Sequence, residues 1–529
     1  MRRHIQWALA LILMTQPVAD ANAWTWWWNR SKTEKAAACV TAKREFRGVW
    51  LQTVFQERYM KKNTEQNKAY LTRLVTQLKE DGFNAIIFQV RPEGDAFYQS
   101  EMEPWSRFLT GKTGKAPAEM WDPMAFIIDL CHRNHIEFHA WINPYRMGAS
   151  KGRKTEHPLY GEHPEWFVQY GGRWYLNPGR PESRAYIRAI VNDIVSRYDI
   201  DAIHMDDYFY PYPENGEKFN DEAEFRMYAP QMNFDVNNPA SLGNFRRRNV
   251  DILIKYIHQD IQKRKPWVKF GISPFGIYRN RTSWEEGSAT NGLQCYDDLY
   301  ADVLRWAQSG WIDYVMPQLY WEIGHKQADY TTLVQWWNDH IPVACQLIVG
   351  ISIERSLDKG PDGKPALDLR SSHTHLMNKL NLCRSLDQVD GECFWYGYQV
   401  EDNAWHVADF LREGVYETPT FTPAFTAVSD VHPEKVKKAD AHVSDEGVLL
   451  SWNKVESTTQ VTYCVYKFRK GEKEKTDDLS HLLCQTAEPR TKDANVSDGK
   501  KYTYVVTAID RYGNESAGTK IKVKIKKSK

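Results

Sequence analysis

No Cys-x-x-Cys spacing occurs in the 529 residues, and the eight cysteines (39, 131, 295, 345, 383, 393, 464 and 484) follow no regular repeat. A structural zinc site is therefore not expected. A dense disulfide framework is not expected either, although one or two pairs stay open in an oxidising compartment. Charge of one sign is also missing: 69 Lys and Arg stand against 68 Asp and Glu. That balance removes the basic bias of a nucleic-acid binder and the acidic bias of a disordered chain. No segment reaches 18 uninterrupted apolar residues, so no membrane span is expected. Neither a Gly-x-Ser-x-Gly elbow nor a phosphate-cradling Gly-rich loop is present.

What the chain has in quantity is aromatic residues, with 21 Trp and 28 Tyr. Some fill the cores of the two or three domains that this length implies. Flat rings are also what carbohydrate-binding proteins set against the apolar faces of sugars. The amino terminus reads as an export signal: Arg2 and Arg3, an apolar core from Ile5 to Met14, and a small-residue site at Ala21-Asn-Ala23. Residues 1–23 are thus expected to be a signal peptide and 24–44 a linker, which points to a periplasmic or cell-envelope location. Cys39 follows Ala36-Ala-Ala38, but it lies too far beyond the apolar core for lipid attachment to be the favoured reading.

From Phe46 onward, apolar strand-like runs alternate with helical patterns. Strands are expected at 46–51, 84–90, 136–143, 202–205, 268–273, 312–318, 346–351 and 391–396. Helices between and after them are expected near 65–80, 122–134, 182–198, 242–264, 297–309, 329–339, 368–386 and 402–413. Asn84-Ala-Ile-Ile-Phe-Gln-Val90 is almost wholly apolar, as a parallel strand covered on both faces should be. Eight strand–helix units over residues 45–415 predict a (β/α)8 TIM barrel. Residues 416–428, with Thr418-Pro-Thr-Phe-Thr-Pro423, read as a linker. Beyond it, 429–527 carries short alternating strands at 447–452, 461–466 and 501–508, the pattern of a small all-β sandwich.

The stretch Ala202-Ile-His-Met-Asp-Asp-Tyr-Phe-Tyr-Pro-Tyr-Pro213 concentrates the chemistry. An apolar strand ends in Asp206 and Asp207, and aromatic residues follow at the end of the strand where barrel enzymes keep their active sites. Glycoside cleavage commonly uses two carboxyl groups flanking the scissile bond. Consecutive residues of a strand point to opposite faces, so the two aspartates are not expected to form that pair by themselves. The partner should come from another strand end.

Longer motifs carry a family resemblance. They are Phe46-Arg-Gly-Val-Trp50, Phe88-Gln-Val-Arg-Pro-Glu-Gly-Asp-Ala-Phe-Tyr98, Glu103-Pro-Trp-Ser106, His139-Ala-Trp-Ile-Asn-Pro-Tyr-Arg146, Ile203 to Tyr212, Val268 to Asn280, and Trp311-Ile-Asp-Tyr-Val-Met-Pro-Gln-Leu-Tyr-Trp321. In this order the barrel resembles the glycosyl-hydrolase-like family 10 of exported bacterial proteins. The resemblance implies glycosidase-type chemistry on a cell-wall glycan, with peptidoglycan strands free of peptide stems as the suggested substrate. The seventh strand departs from the family pattern in running into Ser352-Ile-Glu-Arg355. The carboxyl-terminal segment resembles a fibronectin type III domain, which predicts no chemistry.

The candidate partner acids for Asp206 or Asp207 are Asp95, then Glu322, with Glu354 weaker. Gln89, Arg91, His139, Asn143, Arg146, Asn280 and Gln318 are expected to meet sugar hydroxyls, and Arg91, Arg146 and Arg279 a lactyl carboxylate. Trp50, Trp141, Tyr208, Phe275, Tyr320 and Trp321 are expected to offer stacking faces. No metal and no cofactor is expected: His132, His135 and His139 do not share one face, and His204 beside Asp206 lacks a metal-site signature. The reading from another class is a non-catalytic glycan-binding protein that keeps the cleft without the acid pair.

Overall fold

The computed structural model of the chain describes residues 43–149, 155, 157–359 and 373–526. The expected export signal, Cys39 and most of the following linker lie outside the described residues. The barrel begins with β1 (Phe46–Leu51), β2 (Ala85–Arg91) and β3 (Glu137–Ile142). An excursion follows: β4 (Arg146–Ala149), β5 (Phe167–Tyr170) and β6 (Arg173–Leu176) form their own antiparallel sheet. The barrel resumes with β7 (Ala202–Met205), β8 (Lys269–Ile272), β9 (Tyr314–Val315), β10 (Gln346–Ser352) and β11 (Val389–Trp395). These eight strands close on one another, β11 pairing with β1. The (β/α)8 expectation holds, and the β4–β6 sheet is an addition that periodicity did not foreshadow.

The outer helices include α1 (Thr64–Glu80), α2 (Pro123–Arg133), α3 (Pro181–Arg197), α4 (Ser241–Arg264), α5 (Val303–Gln308), α6 (Tyr330–His340) and α7 (Thr374–Arg384). Local chemistry starts them. Asn63 and Gln66 form a reciprocal capping box on α1, while Asp122, Asp302 and Asp329 accept first-turn N–H groups of α2, α5 and α6. Two expected helices differ. The one over 297–309 is split because Tyr300 takes a left-handed conformation (φ 56°). The one over 402–413 breaks into short turns, with Asn403, Trp405 and His406 all at positive φ.

Strand alternation divides the core in two. Val49, Leu51, Ile86, Phe88, Ile203, Met205, Leu347 and Val349 pack outward into the helix layer. Phe46, Trp50, Ala85, Ile87, Ala202, Tyr314, Met316 and Ile348 pack along the barrel axis. Asp206 falls on the parity of Ala202 and therefore on the axial side. Gly271 is required by close approach: a Cβ there would lie 1.9 Å from the Tyr314 ring. That ring crosses the barrel between two histidines. Trp50 Nε1 donates to His204 Nε2 at 3.2 Å, so His204 offers its Nδ1–H to the Tyr314 hydroxyl at 3.0 Å. The same hydroxyl is 3.0 Å from His139 Nδ1, and His139 Nε2 is 3.0 Å from Glu137. Donation therefore runs one way from Trp50 to the Glu137 carboxylate, which Lys269 pairs at 3.0 Å.

The expected linker is fastened under the barrel. Arg47 donates to the Thr418 carbonyl at 2.8 Å, Thr422 Oγ1 to Glu137 at 2.6 Å, and Gln346 to the Ala424 carbonyl at 3.1 Å. Its Thr- and Pro-rich extended backbone leaves carbonyls open; Arg47 of β1 and Gln346 of β10 satisfy two of them, and Glu137 of β3 accepts a linker hydroxyl. Beyond it, β12 (Asp440–Ser444), β13 (Gly447–Ser451), β14 (Thr462–Arg469), β15 (Leu482–Thr486), β16 (Arg490–Asp493), β17 (Lys501–Ile509) and β18 (Thr519–Lys524) build a sandwich of a three-stranded and a four-stranded sheet. Arg511 of that sandwich pairs with Asp199 at 2.7 Å and Asp201 at 2.9 Å, just before β7. The accessory domain thus grips the amino end of the barrel, away from the carboxyl ends of its strands. The seven described cysteines are unpaired.

Candidate active site

The carboxyl ends of β8 to β11 and the loop after β7 enclose a cavity of about 370 Å³. Its aromatic walls are Tyr212, Phe275, Tyr320, Trp321, Trp395 and Tyr396, and its polar lining is Gln318, Ser352, Glu354, Arg355 and Gln399. The rings brace one another: Tyr320 lies nearly parallel to Trp395 (22°, centroids 6.4 Å), and Phe275 stands edge-on to Trp321 at 5.4 Å. Trp50 supports this wall from below, 6.4 Å from Tyr320 and 6.3 Å from Trp395. Apolar faces beside a few polar groups suit a sugar ring, whose faces are apolar and whose rim is hydroxylated.

The aspartate pair adjoins this cavity. Asp206 is buried and accepts from Asn143 Nδ2 at 2.6 Å. Burial, and then the charge of Asp207, push its carboxyl up to about 7. Asp207 is buried too, and burial pushes it up to about 6 against hydrogen bonds from Tyr212 and Gln318, both of which line the cavity. The Tyr212 hydroxyl donates to Asp207 Oδ2, while the buried Oδ1 has no hydrogen-bond partner among the described residues. Two carboxyls side by side in a dry site cannot both ionise cheaply near neutral pH. The site therefore keeps one carboxylic proton at a pH where an exposed aspartate has lost it.

Several expected sugar contacts are instead committed to protein. Gln89 Oε1 accepts the backbone N–H groups of Thr53 and Val54 at 2.9 Å, and its Nε2 donates to Asn143 Oδ1 at 2.7 Å. Gln89 thus orients Asn143, and Asn143 orients Asp206. Arg91 is fully buried and clamps Glu103 through two bonds of 2.6 and 2.7 Å, also donating to the Asn143 and Pro144 carbonyls. His139 belongs to the axial chain and is bonded at both nitrogens. Arg279 pairs with Asp297 at 2.8 Å and caps a loop carbonyl. These four assignments are corrected: the side chains build the site rather than face its cavity. Arg146 lies over the Tyr208 ring at 4.3 Å, where its charge draws Asp206 downward in pKa. Trp141 is buried against His204 and Trp395, and its indole N–H has no hydrogen-bond partner among the described residues.

The expected partner acids separate clearly. Asp95 is buried and pushed up to about 6 by burial. Its carboxylate, however, accepts from Ser106 and from the Glu93 N–H at 3.0 Å, within its own loop, and it does not line the cavity. Glu322 has the environment opposite to that of a general acid. Its side chain is 43% exposed and paired with Lys359 at 2.6 Å, and that hydrogen bond holds its carboxyl below the usual range. Glu354, just beyond the end of β10, is the carboxylate that does line the cavity. Glu322→Gln is accordingly expected to keep hydrolytic turnover within about threefold of the parent, as for a surface ion pair; a loss of two orders of magnitude would return Glu322 to the chemistry.

Tyr212, Trp395, Tyr396 and Gln399 were not singled out from sequence, although Trp395-Tyr396 stands at the end of the eighth strand, and Ser352 and Arg355 were noted only as a departure from the family pattern. Lys379 on α7 was also missed. It is fully buried, and its ammonium donates to the Trp321 carbonyl at 2.7 Å and to Ser356 Oγ at 2.8 Å. It thereby ties together two loops that wall the cavity. The signal was a lysine on the apolar stripe Leu376, Leu380, Cys383 of α7.

A family model described as glycosyl hydrolase-like 10 matches residues 45–359. Glycosyl hydrolase YngK of Bacillus subtilis (strain 168) is 37% identical over 505 residues, which is 91% of this chain and 94% of that protein. Glycosyl hydrolase DigH of Escherichia coli (strain K12) is 35% identical over 378 residues, 67% of this chain and 83% of that protein. The glycoside hydrolase domain of PgaB (BpsB) from Bordetella bronchiseptica aligns with a TM-score of 0.47 at 13% identity, over 70% of this chain and 99% of that one.

Proposed function

This chain belongs to the glycosyl hydrolase-like 10 family, and on that premise we propose that it is an exported enzyme cleaving glycosidic bonds of a bacterial cell-wall glycan, namely peptidoglycan strands without peptide stems. The observation that carries the reading is a cavity walled by aromatic rings that shares Tyr212 and Gln318 with a buried, proton-retaining carboxyl pair. In this mechanism Asp207 is the general acid. Its buried Oδ1 has no hydrogen-bond partner among the described residues, and the raised pKa keeps a proton available for the departing glycosidic oxygen. Asp206, fixed by Asn143, is pushed up by burial and then by the charge of Asp207, so the two carboxyls titrate as one pair that holds a shared proton. Glu354 supplies the second carboxylate, acting at the anomeric carbon from the end of the seventh barrel strand. Asp95 and Glu322 have supporting roles in their loops.

The test uses the purified chain on peptidoglycan sacculi stripped of stems by an amidase, beside untreated sacculi. Soluble oligosaccharides with new reducing ends are expected from the stripped material, and glycan binding without any new reducing end would leave only the non-catalytic reading. The pH dependence has a defined direction. Turnover should fall as pH rises past the region of about 6 to 7 in which the pair gives up its shared proton. A rate still climbing through pH 8 would remove Asp207 as the acid.

A further inference from the structure

Basic groups near the carboxyl ends of the strands are almost all engaged. Arg91 is bound to Glu103, Arg107 and Arg173 face Glu93, Arg279 is bound to Asp297, and Arg146 rests on Tyr208. Arg355 differs. It lines the cavity, its side chain is exposed, and its guanidinium has no hydrogen bond or ion pair among the described residues. The turn that carries it is nonetheless held firmly. Ser356 Oγ donates to the Ser352 carbonyl at 2.6 Å and accepts from Lys379 at 2.8 Å, and the Ile353 N–H donates to the Trp395 carbonyl at 3.0 Å. An unpaired planar cation on a braced turn, beside aromatic sugar platforms, is a preorganised receptor for a carboxylate.

We propose that Arg355 is the specificity residue of this cavity and reads a carboxylate carried by the bound sugar. The inference deepens the cell-wall reading and rests on it for the identity of that sugar: in a peptide-free strand the lactyl ether ends in a free carboxylate, whereas an attached stem converts it to a neutral amide. Arg355 thereby turns the absence of the stem into a charge that the cavity detects. It is a determinant of which sugar is held and takes no part in proton transfer.

Binding is measured on the full chain carrying Asp207→Asn, so that ligand survives the titration. Four probes are compared: a muramoyl-containing tetrasaccharide with free carboxylates, its carboxyamide, an N-acetylglucosamine tetramer, and a hexuronic acid tetramer. The free-acid muramoyl probe is expected to bind about tenfold more tightly than its amide at low salt, a gain in the range of a single charge-assisted contact. Arg355→Met should erase that ratio, and Arg355→Lys should restore part of it. The ratio should shrink as salt is raised. An acid-over-amide ratio that survives Arg355→Met, or that is absent from the parent, overturns the proposal. Arg355-dependent preference for the hexuronic probe with no binding of either muramoyl probe keeps Arg355 as the carboxylate reader and overturns the cell-wall reading instead.

Discussion

Asp207→Asn is expected to lower glycan cleavage at least about a thousandfold, the upper part of the range that a positioned general acid contributes. The substitution is close to isosteric. Its carbonyl oxygen can still accept from Tyr212, and the cavity walls do not depend on the charge. What is lost is the carboxylic proton, since an amide cannot donate to a departing alkoxide. The same variant should gain stability at neutral and alkaline pH, and the sign follows from linkage. The Asp206 and Asp207 carboxyls sit at about 7 and about 6 in the folded chain, against about 3.9 when unfolded. Below about 4 both states hold the protons and nothing is lost. As pH rises toward the folded values, the unfolded chain releases protons that the native chain retains, so native stability declines through that window. Asn at 207 removes one of the two charges that resist ionisation, so its melting temperature should exceed the parent's at pH 8 and approach it at pH 4. Loss of activity together with loss of stability at pH 8 would sink the assignment, because it would mean that Asp207 holds the fold together.

The barrel was readable because its strands are short apolar runs covered on both faces, and its helices begin at recognisable caps. Ala85–Arg91 needs no partner to look like a parallel strand, and Asn63 needs only Gln66 to start α1. The aspartate pair was readable for a related reason: Asp206 and Asp207 follow directly on an apolar strand, and parity along β7 places Asp206 on the axis. The remaining site residues depend on contacts between distant segments. Gln89 and Asn143 are 54 residues apart, and Arg91 and Glu103 are 12 apart across a loop. A polar side chain at a strand end looks the same in sequence whether it meets a sugar or its neighbour. The polar residues nearest the strands therefore turned out to hold one another, whereas those facing the cavity lie a few residues further on, in turns such as Glu354–Ser356. The threonine- and proline-rich segment misled in the opposite way. Its composition is that of a tether, and only the open groups at the amino ends of the barrel strands make it a strap.

That inner scaffold carries the second large effect. Arg91→Met should destabilise the barrel by about 3–5 kcal/mol in urea unfolding, the loss typical of removing one partner from a buried ion pair. Arg91 and Glu103 are both fully buried at their side chains, so Glu103 would be left without its cation in a dry site. No nearby cation replaces the guanidinium. His157 Nε2 lies 4.0 Å from Glu103, but burial pushes that imidazole down to about 4, leaving it neutral at physiological pH. Tyr186 reaches Glu103 with a hydroxyl at 3.3 Å, a single neutral donor against the two charged bonds removed. Arg91→Lys should rescue little, because a point ammonium cannot hold both carboxylate oxygens and the two carbonyls that follow β3. Adding Glu103→Leu to Arg91→Met should recover most of the stability, since the uncompensated charge goes with it. Activity should not recover in step. Arg91 also anchors the Asn143 and Pro144 carbonyls, and Asn143 is the group that holds Asp206. A double variant that is stable yet slow would separate the two roles of Arg91, whereas a single variant losing less than about 1 kcal/mol would show that the pair is solvated and that the scaffold does not depend on it.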